Sequence, residues 1–429
     1  MVNKRGRKRN RVSRCGAVIL CALSGAAACA QVVVPAQSVA DSFEPFPGPI
    51  RLLLPPRIYA VPGIEMNVYF DNVCLVVNPA NYVFDVTCAK GKQQVERWTF
   101  VATDQDAGEY PFVLEVRNET NGIIARAESV LQVVPKDVGT GVPLKVLVIG
   151  DSLSKRDSLT YVGNYPDQLL ELCNADSNSN PCITLLGHVP KVHKSPREGD
   201  GGGTARRFMT KFKEGKRSGE SLDWKAWNAC GSPFLCADGP GKFKPNFAPF
   251  CREFNGGKGP DVVTIFLGVN DNFGSNDDTI EKSINTMFKY EDMMIDMIRK
   301  VRKDTKIAMF LTVPPAATQD AFCGNQTRWQ YKRNQQRVVE RMIGKYGNRE
   351  AEHIYLVPSN VNLDTMHNYP VLNGPLNSRT KVEGARLSNG VHPSGEGQSQ
   401  IGDSIYCWLK AQLAPVMPSG GGGQNRKGK

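Results

Sequence analysis

Val146-Leu147-Val148-Ile149-Gly150-Asp151-Ser152-Leu153-Ser154 decides how this chain is read. An aliphatic run stops at a glycine, and an acid and a serine follow at once. Such a run, closed by glycine and small polar residues, is the pattern of a strand buried on both faces of a parallel sheet. In open α/β sheets, ligands gather in the crevice outside the carboxyl ends of the strands, so Ser152 is expected at its mouth. A serine hydroxyl there is a useful nucleophile only if the chain also supplies a base, a group to orient the base, and donors for an oxyanion.

The surrounding texture agrees with such a sheet. Strand-like runs at Lys145–Ile149, Cys182–Leu186, Val262–Leu267, Ile307–Thr312 and His353–Val357 are separated by segments of helical spacing. One helix is expected over Thr279–Val301, with Ile280, Ile284, Met287, Met294, Ile298 and Val301 on one side and Asp277 or Asp278 as its cap. A second covers Trp329–Ile343, and a third follows Pro393 with Ile401, Ile405 and Leu409 as its stripe. Alternating strands and helices specify a parallel sheet with helices on both faces.

Upstream the texture is all-β. Ile64, Met66, Val68 and Phe70 alternate with Glu65, Asn67 and Tyr69, and further strand-like runs lie at Tyr82–Thr87, Arg97–Ala102, Tyr110–Val116 and Ala127–Val134. Turn residues every ten or so positions point to a small sandwich. Asp106-Ala107-Gly108-Glu109-Tyr110 resembles the tyrosine corner of immunoglobulin-like domains. The expected organisation is a leader over 1–30, a Pro-rich linker over 31–56, an Ig-like β-sandwich over 57–135, a linker over 136–143, the α/β domain over 144–415 and a Gly-rich basic tail over 416–429.

The net charge of +11 is mostly terminal: Lys4, Arg5, Arg7, Lys8, Arg9, Arg11 and Arg14 supply seven charges and Arg426, Lys427 and Lys429 three more, leaving one for the body. A nucleic-acid partner is therefore not indicated. The first basic cluster is followed by an apolar run from Cys15 to Leu23 and by Ala28-Cys29-Ala30. This is the pattern of a signal peptide, so the protein is expected to be secreted or periplasmic. A lipoprotein anchor at Cys29 is the weaker alternative, since Ala26 stands where a leucine is usual. No segment reaches a membrane-spanning length.

Nine of the twelve cysteines lie beyond the leader. They contain no Cys-x-x-Cys pair, so a zinc site is not expected. Cys173 with Cys182, and Cys74 with Cys88, are the local candidates for disulfides after export. A stretch between Phe208 and Pro260 has weak periodicity but holds Trp224, Trp227, Phe234, Phe243, Phe247 and Phe250. It reads either as a lid or binding loop, or as an aromatic cluster that anchors a loop.

Four further places stand out at strand ends or helix starts. They are Gly202 in Gly201-Gly202-Gly203-Thr204, Asn270 in Gly268-Val269-Asn270-Asp271, His392 in Val391-His392-Pro393, and Asn389 three residues before His392. With Gly150-Asp151-Ser152-Leu153, these blocks resemble the SGNH hydrolases, the GDSL esterase/lipase superfamily, in the family's order and over about residues 144–412. The resemblance implies a flavodoxin-like three-layer α/β/α domain with a five-stranded parallel sheet. It implies Ser152 as nucleophile, His392 as base, and an oxyanion hole from the N–H groups of Ser152 and Gly202 and the amide of Asn270. Neither metal nor cofactor is required. Of the five histidines, His188, His193, His353, His367 and His392, only the last precedes a helix near the end of the α/β region.

One position departs from the family, which usually places an aspartate three residues before the histidine; here it is Asn389. An amide can orient an imidazole but cannot offset its charge as a carboxylate does. The favoured reading is a Ser152–His392 dyad oriented by Asn389 or a backbone carbonyl. Substitution by Glu383 or Glu396, or an inactive site, are the alternatives. The expected function is a serine esterase acting on carboxylic esters, with an acetylated polysaccharide or glycoside as substrate. The rivals are a lipid esterase, an O-acyltransferase, and a catalytically impaired carbohydrate-binding protein.

Overall fold

The structure is a computed structural model that describes residues 50–155, 163–176, 178–188, 195–212, 231–322 and 327–415. The leader, Cys29, His193, Trp224, Trp227 and the C-terminal tail lie outside the described residues.

The N-terminal region is built from seven strands: β1 (Arg57–Ala60), β2 (Glu65–Tyr69), β3 (Val83–Thr87), β4 (Lys92–Gln93), β5 (Arg97–Val101), β6 (Gly108–Arg117) and β7 (Ile123–Val133). They form two sheets, ordered β1-β7-β6-β3 and β2-β5-β4. Trp98 on β5 is buried with its ring edge-on to Phe112 of β6, centroids 5.1 Å apart. Its indole N–H donates to the Lys90 carbonyl at 2.9 Å. Gly91 makes this possible: its φ is +76°, and a Cβ there would lie 2.4 Å from the Trp98 ring. The Tyr110 hydroxyl donates to the Asp106 carbonyl at 3.0 Å, the upstream backbone bond that the sequence pattern led one to expect.

The parallel sheet follows. Its strands are β8 (Pro143–Gly150), β9 (Cys182–Leu186) and β10 (Glu198–Gly199), then, beyond a short pair β11 (Leu235–Ala237) and β12 (Phe243–Pro245), β13 (Val262–Phe266), β14 (Lys306–Phe310) and β15 (Ile354–Val357). β8 pairs with β13 on one edge; on the other it pairs with β9 along its first half and β10 at its last residues. The order across the sheet is thus β9/β10, β8, β13, β14, β15, the doubly wound order whose switch point lies between the first and third strands. A last antiparallel pair, β16 (Val371–Pro375) and β17 (Glu383–Leu387), precedes the terminal helix Gly395–Leu413.

Period two explains why β8 is continuously apolar from Val146 to Ile149. Val146 and Val148 join a cluster with Leu169 and Cys173 of the helix Tyr165–Ala175 and Ile401, Ile405 and Trp408 of the terminal helix. Leu147 and Ile149 point the other way, to Ile284, Met287 and Ile298 of the helix Ile280–Arg299 and Val338 and Met342 of the helix Arg328–Tyr346. The result is three layers. The N-terminal region shares the first cluster, through Ile58, Val68, Phe112 and Leu131 among others.

Polar contacts knit the two regions together. Asn362 Oδ1 accepts from the Asn67 N–H at 2.8 Å, which is why Asn67, on the polar side of the expected alternation, is buried. Asn72 donates to the Leu363 carbonyl at 2.8 Å, and Asp71 pairs with Lys332 and Arg328. Residues 50–56, at the end of the stretch expected as a linker, are built into the fold: Leu53 and Leu54 are buried, and Leu53 N–H donates to Val73 at 2.8 Å. The buried Lys410 ammonium donates to the carbonyls of Lys136 and Ser179, both at 2.6 Å, fastening the segment between β7 and β8.

Two expectations need correction, and one open reading is narrowed. Cys173, Cys182, Cys74 and Cys88 carry free thiols. Cys173 and Cys74 are packed into the apolar core, and burial pushes each thiol up to about 12; Cys182 opens an exposed strand start instead. The helix Ile280–Arg299 is capped neither by Asp277 nor by Asp278: its N-cap is Thr279, Asn276 Oδ1 accepts from the N–H groups of Asp278 and Thr279, and Asp277 pairs with Arg333. Of the aromatic residues after Phe208, Phe234, Phe247 and Phe250 stack among themselves inside the core, where they anchor the segment and are not free to meet a ligand.

A buried acid offers a test of the packing. Glu291 is fully buried between the helices Ile280–Arg299 and Arg328–Tyr346 and accepts from the Tyr346 hydroxyl at 2.8 Å; burial pushes its carboxyl up to about 8. Because the folded value exceeds the unfolded one, folding is favoured by this group at low pH, and that contribution is lost as pH rises toward about 8. Glu291→Gln keeps the acceptor without the charge. Its melting temperature should exceed the parent's by roughly 5 °C near pH 8.5 and by little near pH 5; an equal difference at both pH values would refute the assignment.

Candidate active site

Gly150 ends β8 where the chain has no room for a side chain: a Cβ would lie 1.9 Å from Ser154 Oγ and 3.1 Å from the Phe266 carbonyl of β13. The chain then turns sharply. The Asp151 carbonyl accepts from Ser154 and Lys155, and its carboxylate Oδ1 accepts from the Leu153 N–H at 2.9 Å. Asn164, buried just before the helix Tyr165–Ala175, donates to the Leu153 carbonyl at 2.8 Å and braces this turn from below. Ser152 is left half-exposed at the tip.

His392 reaches Ser152 from 240 residues away: its Nε2 lies 2.8 Å from Ser152 Oγ. With Nε2 unprotonated, the hydroxyl donates to it, the arrangement a general base needs. The loop that presents the imidazole is held from several sides. Asn389 Oδ1 accepts from the main-chain N–H groups of Val391 at 3.0 Å and His392 at 2.9 Å. The Ala316 N–H donates to the Gly390 carbonyl at 3.2 Å, and Gly390 lies so close to Phe322 that a Cβ would be 2.3 Å from its ring. Asn389 thus acts on the backbone that carries His392, and its side chain does not bond the ring. Of the alternative acids, Glu396 accepts from Ser394 Oγ at 2.6 Å and Glu383 sits exposed on β17 opposite Pro375; neither bonds His392.

Gly202 and Asn270 line the same open cleft as Ser152 and His392, with Phe273, Phe322 and Ser388. The cleft measures about 520 Å³. β10 carries the glycine turn to it by pairing with the end of β8, and the Asp200 N–H continues that ladder to the Gly150 carbonyl at 3.0 Å. Among the three consecutive glycines the register is decided here. The Gly203 N–H is taken by the Asp200 carbonyl at 2.7 Å, and of the three only Gly202 lines the cleft, at a φ of +74° that favours glycine.

The acids beside the named residues, Asp151 and Asp271, act as braces. Asp151 Oδ2 accepts from Asn270 Nδ2 at 3.0 Å, so one amide hydrogen is held while the second is left for a ligand. Asp271 accepts from the Ala205 N–H through both oxygens, at 3.1 and 3.2 Å, tying the segment after Gly202 to the turn of Asn270. Burial pushes Asp151 up to about 7, helped by the nearby Asp271, which burial raises to about 6. The signal in the sequence was an acid following Gly150 and another following Asn270; it marked the residues but not what they hold.

His188 is buried against Glu198, at 2.6 Å, and is not part of the cleft. His367 has an aspartate three residues before it, the spacing the family favours, and does bond Asp364 at 2.9 Å. It is His392, however, that stands against Ser152. Among the described residues no group of His, Cys, Asp and Glu could hold a metal ion, and no helix is long and apolar enough to cross a membrane.

Comparison with known proteins adds two findings. Residues 146–405 match the profile of a family described as GDSL-like Lipase/Acylhydrolase. Among solved structures, the chain is similar to an acetylxylan esterase from Geobacillus stearothermophilus, at 14% identity over 65% of this chain and 100% of that one, with a TM-score of 0.33. It is similar to a carbohydrate acetylesterase from Sinorhizobium meliloti, at 13% identity over 63% and 99%, TM-score 0.34, and to an acetyl esterase with an acetate ion, at 14% over 63% and 98%, TM-score 0.35. No curated protein gives a significant match.

Three substitutions at two positions test the geometry. Asn270→Ala should lower kcat about a hundred- to a thousandfold with KM little changed, as expected for a donor used mainly in the transition state; a pure KM effect would argue against that role. Asn389→Ala, which leaves two main-chain N–H groups without their acceptor, should lower kcat/KM about tenfold or more, whereas Asn389→Asp keeps both acceptors and should retain activity. Equal losses in the two variants would contradict a role for Asn389 through the backbone.

Proposed function

The chain belongs to the GDSL-like lipase/acylhydrolase family and is a carboxylic ester hydrolase, and on that premise we propose that it removes short acyl groups from a carbohydrate through a Ser152–His392 acyl-enzyme. The observation that carries the mechanism is the 2.8 Å contact between His392 Nε2 and Ser152 Oγ, in a cleft also lined by Gly202 and Asn270. Ser152 Oγ attacks the ester carbonyl while His392 Nε2 takes its proton. The developing oxyanion is stabilised by the Asn270 amide with the N–H groups of Ser152 and Gly202. His392 then passes the proton to the departing alcohol. In the second half a water attacks the acyl-enzyme, His392 takes its proton, and Ser152 is restored as the acid leaves.

The acyl and alcohol parts are argued from the walls of the cleft. It is wide, and polar groups of Asn270, Ser388 and Asn389 alternate with Ala321, Phe322 and Val391. A short acyl group fits beside the apolar residues, and a polyhydroxyl alcohol fits the polar ones. A lipid ester is the second reading, favoured by Val371, Leu372, Leu376 and Val382, which are exposed on and beside the β16–β17 pair shortly before the His392 loop. The strand order and the Tyr110 bond support an immunoglobulin-like reading of the N-terminal region. The basic and then apolar N-terminal sequence supports export.

Hydrolysis of p-nitrophenyl esters with acyl chains from two to about twelve carbons should be greatest for acetate and fall with length. A maximum at the long chains would favour the lipid ester. Fluorophosphonate labelling of the parent, absent in Ser152→Ala, checks the nucleophile; equal labelling of both would sink the mechanism.

A further inference from the structure

A second cleft, of about 640 Å³, lies where the N-terminal region meets the α/β domain. We propose that it binds a neutral oligosaccharide and serves as a distal subsite for the glycan whose acyl ester is cleaved at Ser152. The proposal rests on the carbohydrate-ester reading and gives that substrate a second point of attachment.

The residue types decide the ligand class. Tyr69, Phe70, Tyr82 and Phe84 contribute to the wall, Tyr82 half-buried and the other three buried; Asn78, Arg328, Asp364 and His367 add polar groups, and Val77 and Val95 apolar ones. Phe70 and Phe84 are stacked with centroids 4.8 Å apart. Asp71 pairs with Arg328 and Lys332, Asp364 bonds His367 at 2.9 Å, and Glu96 lies 3.8 Å from Arg97. Each acid of the wall thus already has a protein partner, and a purely apolar ligand would cover polar groups without satisfying them. A pyranose chain has apolar C–H faces and a rim of hydroxyls that both donate and accept, which suits a wall of this mixed kind.

The second cleft also lies close to the first. The Ala316 N–H bonds the Gly390 carbonyl in the wall of the catalytic cleft, and the next residue's N–H, of Ala317, bonds the Thr365 carbonyl in the wall of the second. Consecutive residues, about 3.8 Å apart at Cα, thus fasten the two walls together. On the proposal, one extended glycan spans both clefts, with its ester at Ser152 and neighbouring sugar units against the N-terminal region. Val77 and Val95, 83% and 93% exposed, stand on the lining of the outer cleft, where a bound chain would cover them.

Two variants test this: Tyr82→Ala, which removes a half-buried aromatic from the wall, and Ala80→Trp, which fills the cleft from an exposed position. Binding of xylohexaose, cellohexaose and chitohexaose is measured by calorimetry on the full-length Ser152→Ala protein, with and without each change, so turnover is not needed. At least one hexasaccharide should bind, and both changes should weaken it about tenfold. In the active enzyme the ratio of kcat/KM on acetylated polymer to that on p-nitrophenyl acetate should fall by a similar factor. Failure of all three sugars to bind, or equal binding by parent and variants, would overturn the subsite. If p-nitrophenyl acetate is nonetheless cleaved in those cases, the esterase reading stands and only the cleft assignment is lost.

Discussion

The parallel pairing of β8 with β13 is the constraint on which the site depends. Its register runs from Val146 opposite Val262 to Gly150 opposite Phe266, so both strands finish at the same level. The segments that leave them, Asp151-Ser152 and Gly268-Val269-Asn270, therefore emerge side by side. β10 ends at that level too, through Gly199 opposite Gly150, and carries the glycine turn with it. Three distant parts of the sequence, which carry the proposed oxyanion donors, are thus brought together by one set of backbone hydrogen bonds. Slipping the register by one residue would exchange the two buried faces of β8 and also separate the nucleophile from Asn270.

The two acids at these strand ends turn proximity into fixed geometry. Asp151 joins the serine turn to Asn270, and Asp271 joins the Asn270 turn to the segment following Gly202. Their burial is electrostatically unfavourable, as the raised values of about 7 and 6 record. A site that must receive negative charge without rearranging gains from donors oriented in advance. The histidine is positioned by different means. It lies on a loop after β17, and its place depends on Asn389 holding the main chain, on Gly390 against Phe322, and on Ala316 bonding Gly390. The site thus has a half anchored in the sheet and a half anchored in loops.

Which features were legible in the sequence follows from their physical range. The runs at β8, β13, β14 and β15 stood out because both faces of a parallel strand are buried, and continuous apolar sequence is how that appears; β9, at the edge, is buried only at Leu185 and Leu186. The stripe on the helix Ile280–Arg299 stood out for the same reason at period 3.6, but its cap did not. Four polar residues, Ser275 to Asp278, precede Thr279, and none of them is the N-cap: Asn276 bonds the N–H groups of Asp278 and Thr279, and Asp277 pairs with Arg333. Alternation at Met66 and Val68 was visible; the burial of Asn67 was not, because its partner Asn362 lies 295 residues on. Cysteine spacing pointed to pairs, whereas the four thiols are free. The aromatic residues after Phe208 could be read as a binding loop or as an anchor, and the described phenylalanines Phe234, Phe247 and Phe250 pack on one another in the core as an anchor does.

The sequence by itself determined the order of strands and helices, the chemical identity of Ser152, Gly202, Asn270 and His392, and the departure at Asn389. Each is a local property, expressed in periodicity or in residue type at a strand end. The tertiary structure decided which histidine meets the serine, since His367 has the favoured acid spacing but His392 has the contact. It also decided that Asn389 works through main-chain N–H groups, that Asp151 and Asp271 are braces, and that the N-terminal region shares a cleft with the α/β domain. These are matters of distance between residues far apart in the chain, fixed by sheet register and by packing across a common core, and no local pattern encodes them.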